Sequence, residues 1–209
     1  ASYKYFPDGT VHVAVVDPGV GSLRRPLLVA TSRHFFVAPD NGLLSYIYQE
    51  ETGIEVRQIE NKQYRLDSEG TTFDGRDLFA PAAAWLTKGQ QPGSYGKLIQ
   101  DYVKLPLAEP KWQGSSMAGT IVYVDRFGNL ISNLTSFHVK DVQGRARRPE
   151  VAIRIGGMTI NGLVRSYSQG DPLAVHALIN SSGQVEVFIK EGSAAKTLQV
   201  SRGEPITLA

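Results

Sequence analysis

The sequence predicts an α/β N-terminal domain with a largely parallel sheet, followed by a C-terminal all-β, barrel-like domain. Two observations carry this. Up to residue 108, short apolar runs alternate with segments of helical periodicity, the order expected of strands covered by helices. From residue 117 onward, apolar residues recur at every second position between Gly and Asn turns, the order expected of antiparallel hairpins.

Val11 to Val16 is a β-branched, nearly continuous apolar run, which reads as a strand covered on both faces; Leu27 to Thr31 and Phe35 to Val37 read as two more. Pro39-Asp40-Asn41-Gly42 precedes Leu43, Leu44, Tyr46, Ile47 and Tyr48, so a capped helix is expected there. Ile54 to Ile59 alternates and reads as a strand. Phe79 to Leu86 is alanine-rich, starts behind Asp77 and stops at Lys88-Gly89, the pattern of a helix. Pro106, Pro110, Gly114 and two serines mark 109–116 as a linker and bound the domains at 1–108 and 117–209. Beyond it, Gly119 to Asp125, Glu150 to Ile155, Leu173 to Ile179, Val185 to Ile189 and Val200 to Leu208 read as strands. No internal repeat or low-complexity tract interrupts them.

The 209 residues, 42% of them hydrophobic, suffice for two modest cores. Twenty-two basic and 20 acidic side chains leave a net charge of +2, which gives no electrostatic case for nucleic acid or an anionic membrane. Arg145-Ala146-Arg147-Arg148 reads as a solvated loop. No apolar run approaches the roughly 20 residues of a membrane-spanning helix, and no signal-peptide pattern is present. The absence of cysteine excludes disulfides, thiolate metal sites and a cysteine nucleophile. His12, His34, His138 and His176 lack metal-ligand spacing, so no metal site is expected. The chain begins at Ala1 and reaches a strand by residue 11, which reads as an internal start.

Three charged turns stand at the ends of apolar elements: Val16-Asp17-Pro18-Gly19-Val20-Gly21 with Arg24 shortly after, Thr72-Phe73-Asp74-Gly75-Arg76-Asp77, and Asp125-Arg126-Phe127-Gly128-Asn129. Each alone is ordinary loop chemistry. Their repetition at element ends, where α/β proteins bind ligands, points to one composite site. Gly19-Val20-Gly21 lacks the Lys-Ser/Thr ending of a phosphate loop and the spacing of a dinucleotide fingerprint. Asp17 with Arg24 reads either as a salt bridge or as a pair that orients a water in a water-poor pocket. Asn180-Ser181-Ser182-Gly183 reads either as a β-turn or as a donor set for a zwitterionic or purine ligand. Tyr167 and Phe127 read either as rim packing or as platforms for a flat ring.

Taken together, Tyr5 to Val11, Val16 to Gly21, Ala38 to Gly42, Thr72 to Ala84, Asp125 to Asn133 and Ile179 to Gly183 resemble, in order and over almost the whole chain, the S-adenosylmethionine (SAM) hydrolases that form adenosine. These are also called SAM hydroxide adenosyltransferases and are related to the SAM-dependent chlorinase and fluorinase. The resemblance implies an α/β domain followed by a barrel-like one, a homotrimer with sites at subunit interfaces, and in-line attack of water or hydroxide on ribose C5′ with methionine as leaving group. SAM would be substrate, adenosine and L-methionine products, and no cofactor would be needed. A cytoplasmic location follows from where SAM is available.

Carried over residue by residue, the family's water-activating Asp-Arg-His set gives Asp17 and Arg24 for its first two members. The third departs from the pattern, because Asp74 stands where hydrolases carry histidine in Thr-Phe-His-Gly-Arg-Asp. An ordinary aspartate, with pKa about 4, is a poorer base at neutral pH than an imidazole at about 6.5. A carboxylate there also opposes a halide nucleophile. Asp125, Ser181 and Ser182 resemble positions at the methionine end, Phe127, Asn129 and Tyr167 the adenine side, and Asn41 and Gly75 lie in retained motifs expected to contact the ligand. Family members begin with a strand ending in Thr-Asp-Phe-Gly, which has no counterpart here, so the resemblance implies a missing upstream strand. A noncatalytic SAM- or adenosine-binding protein and a SAM-dependent halogenase are the alternatives.

Overall fold

The computed structural model describes residues 2–67, 70 and 72–209. The chain divides into two compact units, residues 1–107 and 108–209.

The first unit is built on a four-stranded sheet of β1 (Val11–Val13), β2 (Pro26–Ala30), β3 (Phe35–Pro39) and β4 (Glu55–Gln58), in the order β1-β3-β2-β4. Successive residues of a strand face opposite sides, and β2 buries both. Leu27 and Val29 pack with Phe36, Leu44 and Ile47, the last of these on α1 (Ser45–Glu50). Leu28 packs on the other face with Val37, Phe79 and the Ala82, Ala83 and Leu86 side of α2 (Ala80–Thr87). This double covering explains the unbroken apolar run. Each such side chain contributes about 1.5–3 kcal/mol through burial.

The α/β class holds, but the pairing within the sheet differs from expectation. Among the described residues β1 and β3 pair in parallel, whereas β2 runs antiparallel to both β3 and β4. Only residues 31–34 join β2 to β3, a hairpin length; a parallel return needs a crossover of about a dozen residues or more. β1 is also shorter than its apolar run. After the Ala14 amide bonds the Val37 carbonyl at 3.0 Å the chain turns away, leaving Val15 and Val16 exposed rather than covered.

α1 begins at Ser45 without a side-chain cap, because Asp40 and Asn41, expected as caps, bond elsewhere. α2 likewise does not start at Asp77. A π-helical turn over Gly75–Phe79 runs directly into it, and Asp77 lies buried inside that turn.

The second unit carries an antiparallel sheet in the order β10-β11-β7-β6-β12-β8-β9. Its strands are β6 (Ser116–Val124), β7 (Leu130–Thr135), β8 (Ala152–Ile155), β9 (Met158–Asn161), β10 (Val175–Ile179), β11 (Gln184–Ile189) and β12 (Pro205–Leu208). The Val164 amide, just past β9, bonds the Ala177 carbonyl of β10 at 2.9 Å, so the two ends of the sheet approach closure. Leu130, Leu134, Ile121, Ile153, Val185 and Ile206 fill the interior. Part of the 109–116 segment, expected as a linker, forms a strand instead: β5 (Lys111–Gln113) pairs with β6.

Two helices also interrupt the expected all-β pattern, α3 (Ser136–Ala146) and the short α4 (Ala194–Leu198). α3 buries only Val139 and Val142, too short a stripe to stand out in the sequence. Its start is held by Thr135, whose amide donates to His138 Nδ1 at 3.0 Å. Arg145 and Ala146, expected in a loop, close the helix, and the Arg145 guanidinium lies 3.7 Å above the Trp112 ring.

His12 of β1 stacks on Phe36 and meets the edges of Tyr3, Phe6 and His34. Burial, then the neighbouring His34, lowers the His12 pKa; burial also lowers that of His138, against a smaller opposing effect of Asp141. Both groups therefore bind fewer protons folded than unfolded. Their stabilisation is full above the unfolded value of about 6.5 and is lost as pH falls below it. Thermal melts between pH 7.5 and 5 will show Tm falling with pH, and His12→Phe will shrink that fall; an unchanged slope refutes the assignment.

Candidate active site

In the first unit, the turn after β1 brings Asp17 against Arg24. Arg24 Nε lies 2.9 Å and 3.0 Å from the two carboxylate oxygens, and Nη2 also donates to Asp17 Oδ2, a bidentate fork. Arg24 Nη2 donates in addition to Asp74 Oδ2 at 2.6 Å. The three side chains are 5% (Asp17), 10% (Arg24) and 12% (Asp74) exposed, so the cluster is largely out of water. Burial works against the Arg24 charge, but the two carboxylates outweigh it and hold the guanidinium above its ordinary pKa. The Phe79 ring lies 5.4 Å from its guanidinium carbon.

Local chemistry explains the assembly. Gly19 lets the turn close on Arg24, since a Cβ there would stand 3.3 Å from Ser22 Oγ and 3.6 Å from Arg24 Cγ. Asp74 starts the π-helical turn without capping it, which leaves its carboxylate for Arg24. Arg65, which sequence reasoning missed, stands 3.6 Å from the other Asp74 oxygen. With it the cluster holds two carboxylates and two guanidinium groups, so the excess negative charge expected from Asp74 is offset. Gly75 lies beside this cluster, its nearest outside neighbour Val15. Asn41 is turned to the backbone: Nδ2 donates to the Val16 carbonyl at 2.8 Å, and Oδ1 accepts from the Leu43 amide at 3.1 Å.

In the second unit, a cavity of about 600 Å³ is lined by Asp125, Phe127, Asn129 and Tyr167, four of the expected residues, and by Phe188, Ile189, Lys190, Glu191 and Gly192. Its size suits a nucleoside-sized ligand. Asp125 Oδ1 accepts from the Phe127 and Asn129 amides at 2.8 and 2.9 Å, and Asn129 Nδ2 donates to Oδ2 at 3.1 Å. This closes the turn and leaves the Phe127 ring exposed. Gly128, at φ +84°, sits where a Cβ would collide with Ser193 Oγ at 2.0 Å. Ser181 and Ser182 stand exposed in the β10–β11 turn and do not line the cavity.

Glu186 links that turn to the cavity wall. Buried on β11, it accepts from Tyr167 Oη at 2.6 Å and from Asn180 Nδ2 at 3.1 Å. Asn180 Oδ1 in turn accepts from the Ser182 and Gln184 amides. A lone acid in the apolar run Val185-Glu186-Val187-Phe188-Ile189 is the signal that would have found it. Lys190-Glu191-Gly192 repeats the pattern of a charged turn at a strand end, and Glu191 adopts a left-handed φ of 61°.

Models of the SAM hydroxide adenosyltransferase N-terminal and C-terminal domains match residues 1–96 and 119–207. The chain belongs to the SAM hydroxide adenosyltransferase family. It is 32% identical to an (R)-S-adenosyl-L-methionine hydrolase of Thermus thermophilus, over 98% of this chain and 77% of that protein. It is also 32% identical to the enzyme of that name from Salinispora tropica, over 96% and 74%. A fluorinase of an Actinoplanes species is more distant, 24% identical over 98% of this chain and 78% of its own. The crystal structure of an uncharacterized conserved protein from Thermotoga maritima superposes with a TM-score of 0.85 at 30% identity, covering 98% of this chain and 78% of that one.

Burial, then the hydrogen bond and charge of Glu186, push the Tyr167 hydroxyl up to about 12. Glu186→Gln removes the charge that favours the neutral phenol, so the Tyr167 pKa will move down toward 10. Ultraviolet titration, differenced against Tyr167→Phe, checks this; no movement means that Glu186 does not hold the ring.

Proposed function

We propose that this protein hydrolyses S-adenosyl-L-methionine to adenosine and L-methionine. The observation that carries the reading is the desolvated Asp17–Arg24–Asp74 cluster in a chain 32% identical to a protein named (R)-S-adenosyl-L-methionine hydrolase. In the proposed reaction a water attacks ribose C5′ in line with the sulfonium. The C5′–O bond forms, the C5′–S bond breaks, and its electron pair passes to sulfur, so neutral methionine leaves. The water proton passes to a carboxylate oxygen of Asp17 or Asp74, and Arg24 holds both acids in place. SAM is the substrate, and the step as written balances without a cofactor.

The second unit's cavity supports the binding half of the reading. Phe127 and Tyr167 offer faces for adenine, Asn129 a polar edge, and Asp125 an acceptor for the amino-acid end; Ser181 and Ser182, outside the cavity wall, are assigned to that end on the resemblance alone. Asn41 steadies the turn that carries Asp17 through its bond to the Val16 carbonyl, and Gly75 stays assigned to the ligand on the resemblance. We assign the working form to a homotrimer with sites at subunit interfaces. The residue preceding each cluster member supports this: Val16, Leu23 and Phe73 are 65%, 101% and 63% exposed, an apolar rim beside buried charge. The reading places the protein in the cytoplasm, where SAM is available.

Incubation with each sulfonium epimer of SAM in ¹⁸O-labelled water, with and without chloride, tests the reaction. Adenosine carrying ¹⁸O at the 5′ position, formed with methionine, is the expected outcome; 5′-chloroadenosine would make the protein a halogenase, and intact but tightly bound SAM a binding protein. Asp17→Asn keeps the shape and removes the base, so kcat will fall about 10²–10⁴-fold in a folded variant. Unchanged turnover would remove Asp17 from the chemistry.

A further inference from the structure

The end of β3 grips the neighbours of both Asp17 and Arg24. Asp40 is buried, with its side chain 4% exposed. Its Oδ2 accepts from Arg25 Nε at 2.9 Å and Nη2 at 2.7 Å, its Oδ1 accepts from the Val103 amide at 2.8 Å, and its own amide donates to the Arg25 carbonyl at 2.8 Å. Arg25 is fixed from its far side as well, by Asp101 Oδ1 and the Asp101 carbonyl, each at 2.8 Å. The next residue, Asn41, donates to the carbonyl of Val16. Residues 40 and 41 therefore hold residues 25 and 16, and each of these is one bond of chain from a member of the charged cluster. Gly42 completes the turn at φ +85°, where a Cβ would collide with Leu105 at 2.4 Å.

We propose that Asp40 and Asn41 are positioning residues for the Asp17–Arg24 pair, Asp40 fixing Arg24 through Arg25 and Asn41 fixing Asp17 through Val16. The inference rests on the catalytic role proposed for Asp17 and Arg24. It goes beyond that role by assigning work to two residues whose hydrogen bonds run to Arg25, to Val103 and to the Val16 and Leu43 backbone. Asn41 in particular has both ends of its amide committed to backbone, which makes it a clamp on the turn and not a ligand contact. The arrangement solves a geometric problem. A turn containing Gly19 and Gly21 is conformationally permissive, yet it must deliver a carboxylate to a guanidinium within a few tenths of an ångström, and misplacement by about 1 Å costs on the order of 10²-fold in rate.

Asp40→Asn and Asn41→Ala test it, with Glu55→Gln as the control, because Glu55 is exposed and pairs with Arg57, outside the contacts of Arg25 and Val16. Two readouts are taken on each folded variant. The first is SAM hydrolysis, where kcat will fall about 10-fold or more for Asp40→Asn and Asn41→Ala while KM and calorimetric SAM affinity stay within about twofold. The second needs no turnover: the Arg24 Nε–H resonance, assigned by its loss in Arg24→Lys, is protected from solvent exchange by Asp17 and will lose that protection in both variants. Glu55→Gln will change neither. Retained protection and wild-type kcat in both variants overturn the inference while leaving the proposed reaction standing. A wild-type protein that does not cleave SAM overturns the reaction, and the resonance then decides the positioning claim alone. If Asp40→Asn does not fold, Asn41→Ala, which alters a partly exposed side chain, carries the test on the same two readouts.

Discussion

Burying the Arg24 guanidinium beside two carboxylates is the constraint around which the first unit is arranged. Charges taken out of water cost several kcal/mol each, and only close, well-directed partners offset the cost. The fork from Arg24 to Asp17, the third contact to Asp74 and the Arg65 side chain behind Asp74 supply them. Each partner arrives on a different local device: a glycine turn after β1, the lead into β2, and a π-helical turn before α2. None of these devices is itself part of the sheet, yet all three are anchored to it, so the rigidity of the cluster is borrowed from β2 and β3.

That rigidity comes from burial on two faces. Leu27, Leu28 and Val29 are fully buried, and the helices α1 and α2 close opposite sides of the strand that carries them. With both faces covered, the ends of β2 and β3 become fixed points, and the ionic and backbone contacts of Arg25, Asp40 and Asn41 transfer that fixity to the residues beside them. The second unit uses a different solution. There the curled antiparallel sheet surrounds its own core, and the cavity opens where the Asp125 turn, Tyr167 and the end of β11 meet.

Much of this was legible in the residues, and the failures have physical causes. β2, β3, β4 and most strands of the second unit follow from periodicity, because burial on one or two faces imposes a period that the sequence must carry. Asp17, Arg24 and Asp74 were named together from turn chemistry and resemblance, and the structure brings them together. The parallel pairing was misread because strand direction depends on connection length, and the brevity of residues 31–34 weighs more than the apolar pattern. α3 was missed because its N-terminal box uses His138 where glutamate or glutamine is the usual signal, and only two of its side chains are buried. Arg65 and Glu186 were missed for a different reason. Their partners are distant in sequence or masked within an apolar run, and a long-range ion pair leaves no periodic trace. Asn41 was singled out by its motif, and geometry adds what the motif could not show, a hydrogen bond from its side chain to the Val16 carbonyl.

The chemistry of the cluster also bears on which nucleophile the proposed reaction takes. Ionised carboxylates accept hydrogen bonds and donate none, whereas a halide needs donors around it. Within the cluster, Nε and Nη2 of Arg24 are already committed to Asp17 and Asp74. Water fits such a lining, since it donates to the carboxylates and keeps a lone pair for C5′. Arg65, 3.6 Å from the second Asp74 oxygen, balances the charge of that acid. On the proposed reading, the aspartate at position 74 serves hydrolysis as a second acceptor for the attacking water.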